Sequence, residues 1–291
     1  VKPSTTMLER LSTSRFLVNR AQPSVGAGER RSKAKGAGLE FVDHRPYREG
    51  DDVRHLDPRL LARLGENFIR QFSVDKRLPV FILLDASASM GYGEPDKFAF
   101  ARGLAQALGF IGLNGGDQVQ AGVFTDGRLV WSPHVHGTSR APILFDWLDG
   151  QEASGGGAFT DALRKALPHI KSASLLILIS DFWGEEPARA LRALDAAHHE
   201  IIAFHVSAPQ EIDPKGIGDG PLDIIDAETG EEVELALDAD VLSRYRKAFD
   251  EWQETLREQF VRRQGRYFAL SSATDLEHLF MRQLRALGVI S

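Results

Sequence analysis

The chain has 291 residues, of which 43% are hydrophobic and 26% charged. That balance excludes a wholly disordered chain, a collagen-like repeat and a coiled coil, and it is enough to bury a sizeable core. There is no cysteine, which removes disulfides, thiolate metal sites, iron–sulfur clusters and a cysteine nucleophile. The net charge of −6 is unevenly divided, with +6 on residues 1–78 and −12 on the rest. The basic residues are scattered among apolar ones, so the reading preferred here is a basic segment packing on an acidic body. The alternative is an arm for nucleic acid or an anionic membrane surface.

Residues 5–22 read as a short amphipathic helix. Met7, Leu8, Leu11 and the Phe16–Val18 cluster are interrupted by Glu9, Arg10, Arg15 and Arg20, and a secretion leader needs an unbroken apolar centre. Residues 23–38, rich in Gly, Ser, Arg and Lys, read as a linker. A short strand follows from Leu39, then a turn at Glu49–Asp52, a helical turn opened by Asp57-Pro58, and a strand over Phe68–Val74.

From residue 79 the pattern becomes regular. Pro79–Leu84 is a continuous apolar run, as expected of a strand buried on both faces. A helix is predicted over Asp96–Leu113. A hairpin joins Gln118–Phe124 to Arg128–Trp131 across Thr125-Asp126-Gly127. Helices over Ser139–Leu148 and Thr160–Ile170 flank the Gly155-Gly156-Gly157 loop. Leu175–Ser180 and Glu200–Val206 are core strands, separated by a helix over Glu186–Ala197. A hairpin insertion near 208–238 precedes a long helix over Asp240–Gln264, a strand over Arg266–Leu270 and a last helix over Thr274–Leu287. Alternation of strands and helices predicts an α/β fold with a doubly wound, mostly parallel sheet. The expected organisation is a basic N-terminal helix and linker (1–38), a segment packing on the main domain (39–78), and the α/β domain (79–291). The longest apolar runs are strand-length, far short of the roughly 20 residues of a spanning helix. A cytoplasmic protein without a membrane span is expected.

Ligands of open parallel sheets bind outside the carboxyl ends of the strands. The first core strand ends in Asp85, followed by Ser87 and Ser89. The second ends in Ser180-Asp181, and the triple-glycine loop leads to Thr160. Two carboxylates and three hydroxyls make a hard-oxygen set, suited to Mg²⁺, Mn²⁺ or Ca²⁺ rather than Zn²⁺ or Cu²⁺. Two carboxylates leave such an ion open to a further anionic oxygen. Each residue also has an ordinary role, as a helix cap or turn former.

The pattern Asp85-Ala86-Ser87-Ala88-Ser89 with Thr160 and Asp181 resembles the metal-ion-dependent adhesion site (MIDAS) of von Willebrand factor A domains. The stretch from Gly38-Leu39-Glu40-Phe41 through Arg45-Pro46-Tyr47 and Gly50-Asp51-Asp52-Val53-Arg54 resembles the signature of the bacterial domain-of-unknown-function-58 family. Together the resemblances cover roughly residues 36–206 well and the C-terminal third loosely. They imply a von Willebrand factor A-like fold and a non-enzymatic adaptor working with a MoxR-type AAA+ ATPase. They also imply Asp85, Ser87, Ser89, Thr160 and Asp181 as ligands of Mg²⁺ (or Mn²⁺ or Ca²⁺), with a partner's Glu or Asp completing the shell. This chain departs from the family pattern in having Pro58 after Asp57, where members often have Asp-Trp, and in lacking membrane helices. The charged residues of the signature (Arg45, Arg48 and Arg54 with Asp43, Glu49, Asp51 and Asp52) read first as a salt-bridged wrap and second as a partner-docking surface.

Enzyme signatures are missing. There is no phosphate-binding loop, no Gly-x-Ser-x-Gly elbow and no His-Glu-x-x-His. Ser87 stands where a haloacid dehalogenase-type phosphotransferase needs its second Asp. Gly26-Ala27-Gly28 does not follow a strand, and the pairs His134/His136 and His198/His199 read as surface or core residues. Tyr245, Phe249, Trp252, Leu256 and Phe260 form a helical packing stripe. The alternative function carried forward is a metal-assisted phosphoester hydrolase using the same oxygens. A nucleic-acid partner is the least favoured reading.

Overall fold

The structure is a computed structural model. It describes residues 2–18, 39–51, 53, 56–74, 78–157, 159–170, 173–183, 191–192, 199–214, 221–225, 232–236 and 238–291. The linker of 23–38, Asp52, Arg54, the turn at 228–230 and most of the helix expected over 186–197 lie outside them. The chain divides into two compact units, residues 23–77 and residues 1–22 with 78–291.

The smaller unit pairs β1 (Leu39–Pro46) antiparallel with β2 (Phe68–Val74), with a register shift between Phe41 and Asp43. Between them lies helix α2 (Pro58–Leu64). Asp57 caps it by accepting from the backbone N–H of Arg59 at 2.9 Å, Pro58 occupies the first turn, and Gly65 ends it in the left-handed region at φ 72°. Arg45 donates twice to Asp51, each bond 2.7 Å. This ion pair closes a turn within the unit. Arg45 holds the Asp51 carboxyl down at about 2.

The larger unit is built on a seven-stranded sheet. Its strands are β3 (Pro79–Asp85), β4 (Gln118–Thr125), β5 (Arg128–Trp131), β6 (Val135–His136), β7 (Leu175–Ser180), β8 (Glu200–Ser207) and β11 (Arg266–Ser271). The order is β11-β8-β7-β3-β4-β5, with β6 also pairing β4. All pairings from β11 to β4 are parallel, and β5 and β6 are antiparallel additions. This is the predicted doubly wound, mostly parallel α/β fold. The β4–β5 hairpin turns at Asp126 and Gly127, both with positive φ (47° and 64°), the backbone twist that a two-residue hairpin requires. The insertion contains its own antiparallel pair, β9 (Pro221–Ile225) and β10 (Glu232–Ala236).

Alternation along each strand assigns side chains to two cores. Val80, Ile82 and Leu84 of β3, with Ile177 and Ile179 of β7, face helices α3 (Lys97–Asn114) and α4 (Ala141–Asp149). Helix α1 (Thr5–Leu11) adds Met7 and Leu11 to this core. Phe81 and Leu83, with Leu176 and Leu178, face helices α5 (Phe159–Ala166) and α6 (Ala239–Arg262). The predicted stripe on α6 behaves as packing, since Phe249, Leu256 and Phe260 are buried. Helix α3 lies close to the sheet at Gly112, where an added Cβ would sit 2.8 Å from Val119.

Two expectations differ in detail. The first helix ends at Leu11, where the Ser12 N–H and hydroxyl both bond the Glu9 carbonyl. The last helix is not uniformly α: Leu276–His278 passes into a π-helical turn over Leu279–Leu284 that buries Leu279, Phe280 and Leu284.

His205 on β8 is fully buried, against the rings of Phe182, Trp252 and Tyr267. Its Nδ1 is hydrogen-bonded to the Tyr267 hydroxyl and its Nε2 to the Ser207 hydroxyl. Burial pulls the imidazole down to about 4, against the attraction of Asp181. Between the ordinary histidine value and pH 4 the unfolded chain holds a proton that the folded chain lacks. His205 therefore contributes its full stability above about pH 6.5, and that contribution is lost as pH falls towards 4. We expect urea denaturation to show His205→Gln losing roughly 2–3 kcal/mol less than the parent between pH 7 and pH 4.5.

Candidate functional site

Strand order reverses beside β3. The chain leaves β3 for β4 on one side, and β7, β8 and β11 then extend the sheet on the other. The crevice outside the carboxyl ends of β3 and β7 is thus the topological switch point. Asp85 ends β3, Ser180 ends β7 and Asp181 follows. Leu84 lies opposite Ile179 in the parallel register, which sets Asp85 beside Ser180.

Asp85 is buried. Its Oδ1 accepts from the Ser87 backbone N–H at 2.9 Å, and its Oδ2 accepts from the Ser180 hydroxyl at 2.5 Å. Burial pushes its carboxyl up to about 7, the Asp181 charge pushes the same way, and the Ser180 and Ser87 hydrogen bonds oppose them. The Ser87 and Ser89 hydroxyls lie 3.0 Å apart, so two predicted oxygens converge beside the carboxylate. The segment that carries them is fixed on both sides. Ala86 N–H donates to the Phe124 carbonyl, Ser154 N–H to the Ala86 carbonyl, and Ala88 N–H to the Gly155 carbonyl at 2.7 Å.

The glycine loop is therefore stitched to the serine loop. Gly155 has φ 65°, and an added Cβ would fall 1.8 Å from Asp126 Oδ1. Asp126 accepts from the Gly156 N–H at 3.2 Å, so the β4–β5 turn supports the loop from outside. Thr160 is the second residue of α5, half-buried, next to Phe159. The Phe159 ring packs edge-on against Phe182 at 4.9 Å, which brings the start of α5 to the residue after Asp181. Phe182 itself is buried at φ 54°, a left-handed conformation uncommon for a bulky residue. Its N–H donates to the Ser180 hydroxyl at 2.9 Å. Ser180 thus receives from one backbone group and gives to Asp85, a role that its place at a strand end did not announce.

Asp181 has a second neighbour that the sequence reading missed. The Lys97 ammonium, with no solvent exposure at all, lies 2.8 Å from Asp181 Oδ2 and 2.6 Å from Glu211 Oε1. Burial pulls the Lys97 ammonium down, but the two carboxylates outweigh it and hold the group above its ordinary value. Glu211 sits on the helical turn Pro209–Ile212, and its Oε2 accepts from the Ala208 N–H at 2.6 Å. Trp183 stands above this group, 43% exposed, stacked on Trp252 at 4.5 Å with its Nε1 toward Glu211 at 3.4 Å. A lysine in the first turn of a helix opposes the helix dipole. That misfit at Lys97, directly after the Asp96 cap, was the available signal.

The donor set fits a hard divalent cation. Asp85 is a buried carboxylate balanced by neutral hydrogen-bond donors, and the two serine hydroxyls beside it are neutral oxygens. Among the described residues no group of three His, Asp or Glu side chains is placed to hold a metal, so hydroxyls would have to complete such a shell. Among the same residues no helix is long and apolar enough to cross a membrane.

Two substitutions test the frame. Ser180→Ala strips a donor from Asp85 and an acceptor from Phe182, and should lower unfolding free energy by about 1–3 kcal/mol in urea denaturation. Gly155→Ala forces a side chain into a left-handed position against Asp126, and should cost about 1–3 kcal/mol by the same measurement with an unchanged slope.

The chain is similar to several known proteins. An uncharacterized protein of Mycobacterium tuberculosis, Rv1480, is 29% identical over 237 residues, spanning 78% of this chain and 73% of that protein. Its Mycobacterium bovis counterpart, Mb1516, matches equally. Among solved structures, BatB from Bacteroides thetaiotaomicron shares 17% identity at TM-score 0.43, over 72% of this chain and 98% of that one. The VWA domain of SpRpn10 shares 11% at TM-score 0.42, over 71% of this chain and 95% of that one. The family model described as "Protein of unknown function DUF58" matches residues 43–258, and the chain belongs to that family.

Proposed function

We propose that this protein is a metal-dependent protein-interaction module, an adaptor of the von Willebrand factor A type. Asp85, Ser87, Ser89 and Thr160 form its ion site, with Asp181 acting directly or through water, and a partner's Glu or Asp completes it. The observation that carries the reading is the convergence of the Ser87 and Ser89 hydroxyls, 3.0 Å apart, beside the buried carboxylate of Asp85. Hard neutral oxygens next to one poorly compensated carboxylate suit Mg²⁺, with Mn²⁺ or Ca²⁺ as substitutes. Bound there, the cation would supply an electrophilic point for an incoming carboxylate oxygen.

The chain's own residues do the rest. Ser180 and the Ser87 N–H aim the Asp85 carboxylate. The hydrogen bonds from Ala88 and Ser154 hold the serine loop in place, and Thr160 approaches from the start of α5. Tyr92, three residues beyond Ser89, and Trp183, two beyond Asp181, are exposed and would give a partner apolar surface beside the ion. The partner we favour is a MoxR-type AAA+ ATPase or its client. This choice rests on the family resemblance, whereas the ion site rests on the geometry.

Titration calorimetry should show Mg²⁺ binding to the parent and none to Asp85→Ala, whose far-UV circular dichroism should match the parent. Capture of a purified MoxR-type ATPase should be lost on chelation and in the same variant. Unchanged Mg²⁺ affinity in Asp85→Ala would overturn the reading.

A further inference from the structure

Asp181 and Asp85 end adjacent parallel strands but have different company. Asp85 is met by a hydroxyl and a backbone N–H, both neutral. Asp181 is met at Oδ2 by an ammonium at 2.8 Å that is wholly shielded from water, and its Oδ1 accepts from the Trp183 N–H at 3.3 Å. Lys97 cannot turn away to solvent, because the same nitrogen is held at 2.6 Å by Glu211. Glu211 is anchored in turn by the Ala208 N–H at 2.6 Å. The crevice thus already contains one positive charge, covalently attached and fixed in place.

We propose that Lys97 is a resident cation that withholds Asp181 from direct ion contact, and that Glu211 sets how firmly it does so. This inference rests on the ion site proposed above. Its consequence is that, among the described residues, Asp85 is the carboxylate left directly available to the ion, which favours an additional carboxylate from a partner. Lys97 is a positioning residue: it acts on the ion through Asp181. A lysine with a purely structural role would affect folding stability and leave divalent affinity alone.

The two neighbours of Lys97 give opposite signs. Lys97→Met removes the ammonium and releases Asp181, so Mg²⁺ should bind about tenfold tighter or better. Glu211→Gln leaves Lys97 with Asp181 as its anionic partner among the described residues and removes a negative charge, so Mg²⁺ should bind about three- to tenfold more weakly. The measurement is calorimetric titration of Mg²⁺ alone into the full chain, with the Mg²⁺-induced rise in melting temperature as a second readout. That rise should be larger in Lys97→Met than in the parent and smaller in Glu211→Gln.

Parent binding with no gain in Lys97→Met overturns the inference and spares the ion site. Mg²⁺ binding by Lys97→Met but not by the parent supports the inference and overturns the metal-dependent function of the native chain. Binding by neither overturns both. Should Lys97→Met fail to fold, Glu211→Gln decides: weaker binding supports the inference, and unchanged or tighter binding overturns it.

Discussion

Two carboxylates are forced together where β3 and β7 end. Neighbouring strands run about 4.8 Å apart, and the parallel register sets Asp85 beside Ser180, one residue before Asp181. In a buried crevice their repulsion is poorly screened, and the protein answers it unequally. Asp181 receives an ammonium, whereas Asp85 receives hydrogen bonds from neutral donors, and burial first and the Asp181 charge second drive it toward its neutral form. That inequality organises the neighbourhood, including the lysine in a helix's first turn, the serine between two strands and the glutamate on a one-turn helix.

The scaffold makes the inequality durable. Both faces of the sheet are covered, so the strand ends have no slack to relieve the repulsion. Phe182 is held in a left-handed conformation by rings on three sides, and the Ser180 hydroxyl satisfies its N–H. Strain of this kind persists only where surrounding packing over-determines it. Here the packing fixes the turn that follows Asp181.

Much of this was legible in the residues. The apolar runs of β3 and β7 announced strands buried on both faces, and the alternation of strands with helices announced the parallel sheet. Asp85, Ser87 and Ser89 stood in one short stretch after such a run, so their convergence could be anticipated. The partners of Lys97 could not be found that way, because it reaches Asp181 and Glu211 across 84 and 114 residues of sequence. The helix-dipole misfit marks Lys97 as unusual, but no local pattern names partners at that range. The π-helical turn near the C-terminus escaped for another reason. Its apolar spacing satisfies an α-helix as well as a π-helix, and packing of Leu279, Phe280 and Leu284 decides between them.

The stacked pair Trp183 and Trp252 has a use of its own. Two indoles 4.5 Å apart and within 13° of parallel share their electronic excitation, so the pair has an optical signature that neither ring has alone. One ring belongs to the segment just beyond Asp181 and the other to the long helix α6. The molecule therefore carries a built-in, label-free gauge of any shift between that segment and that helix.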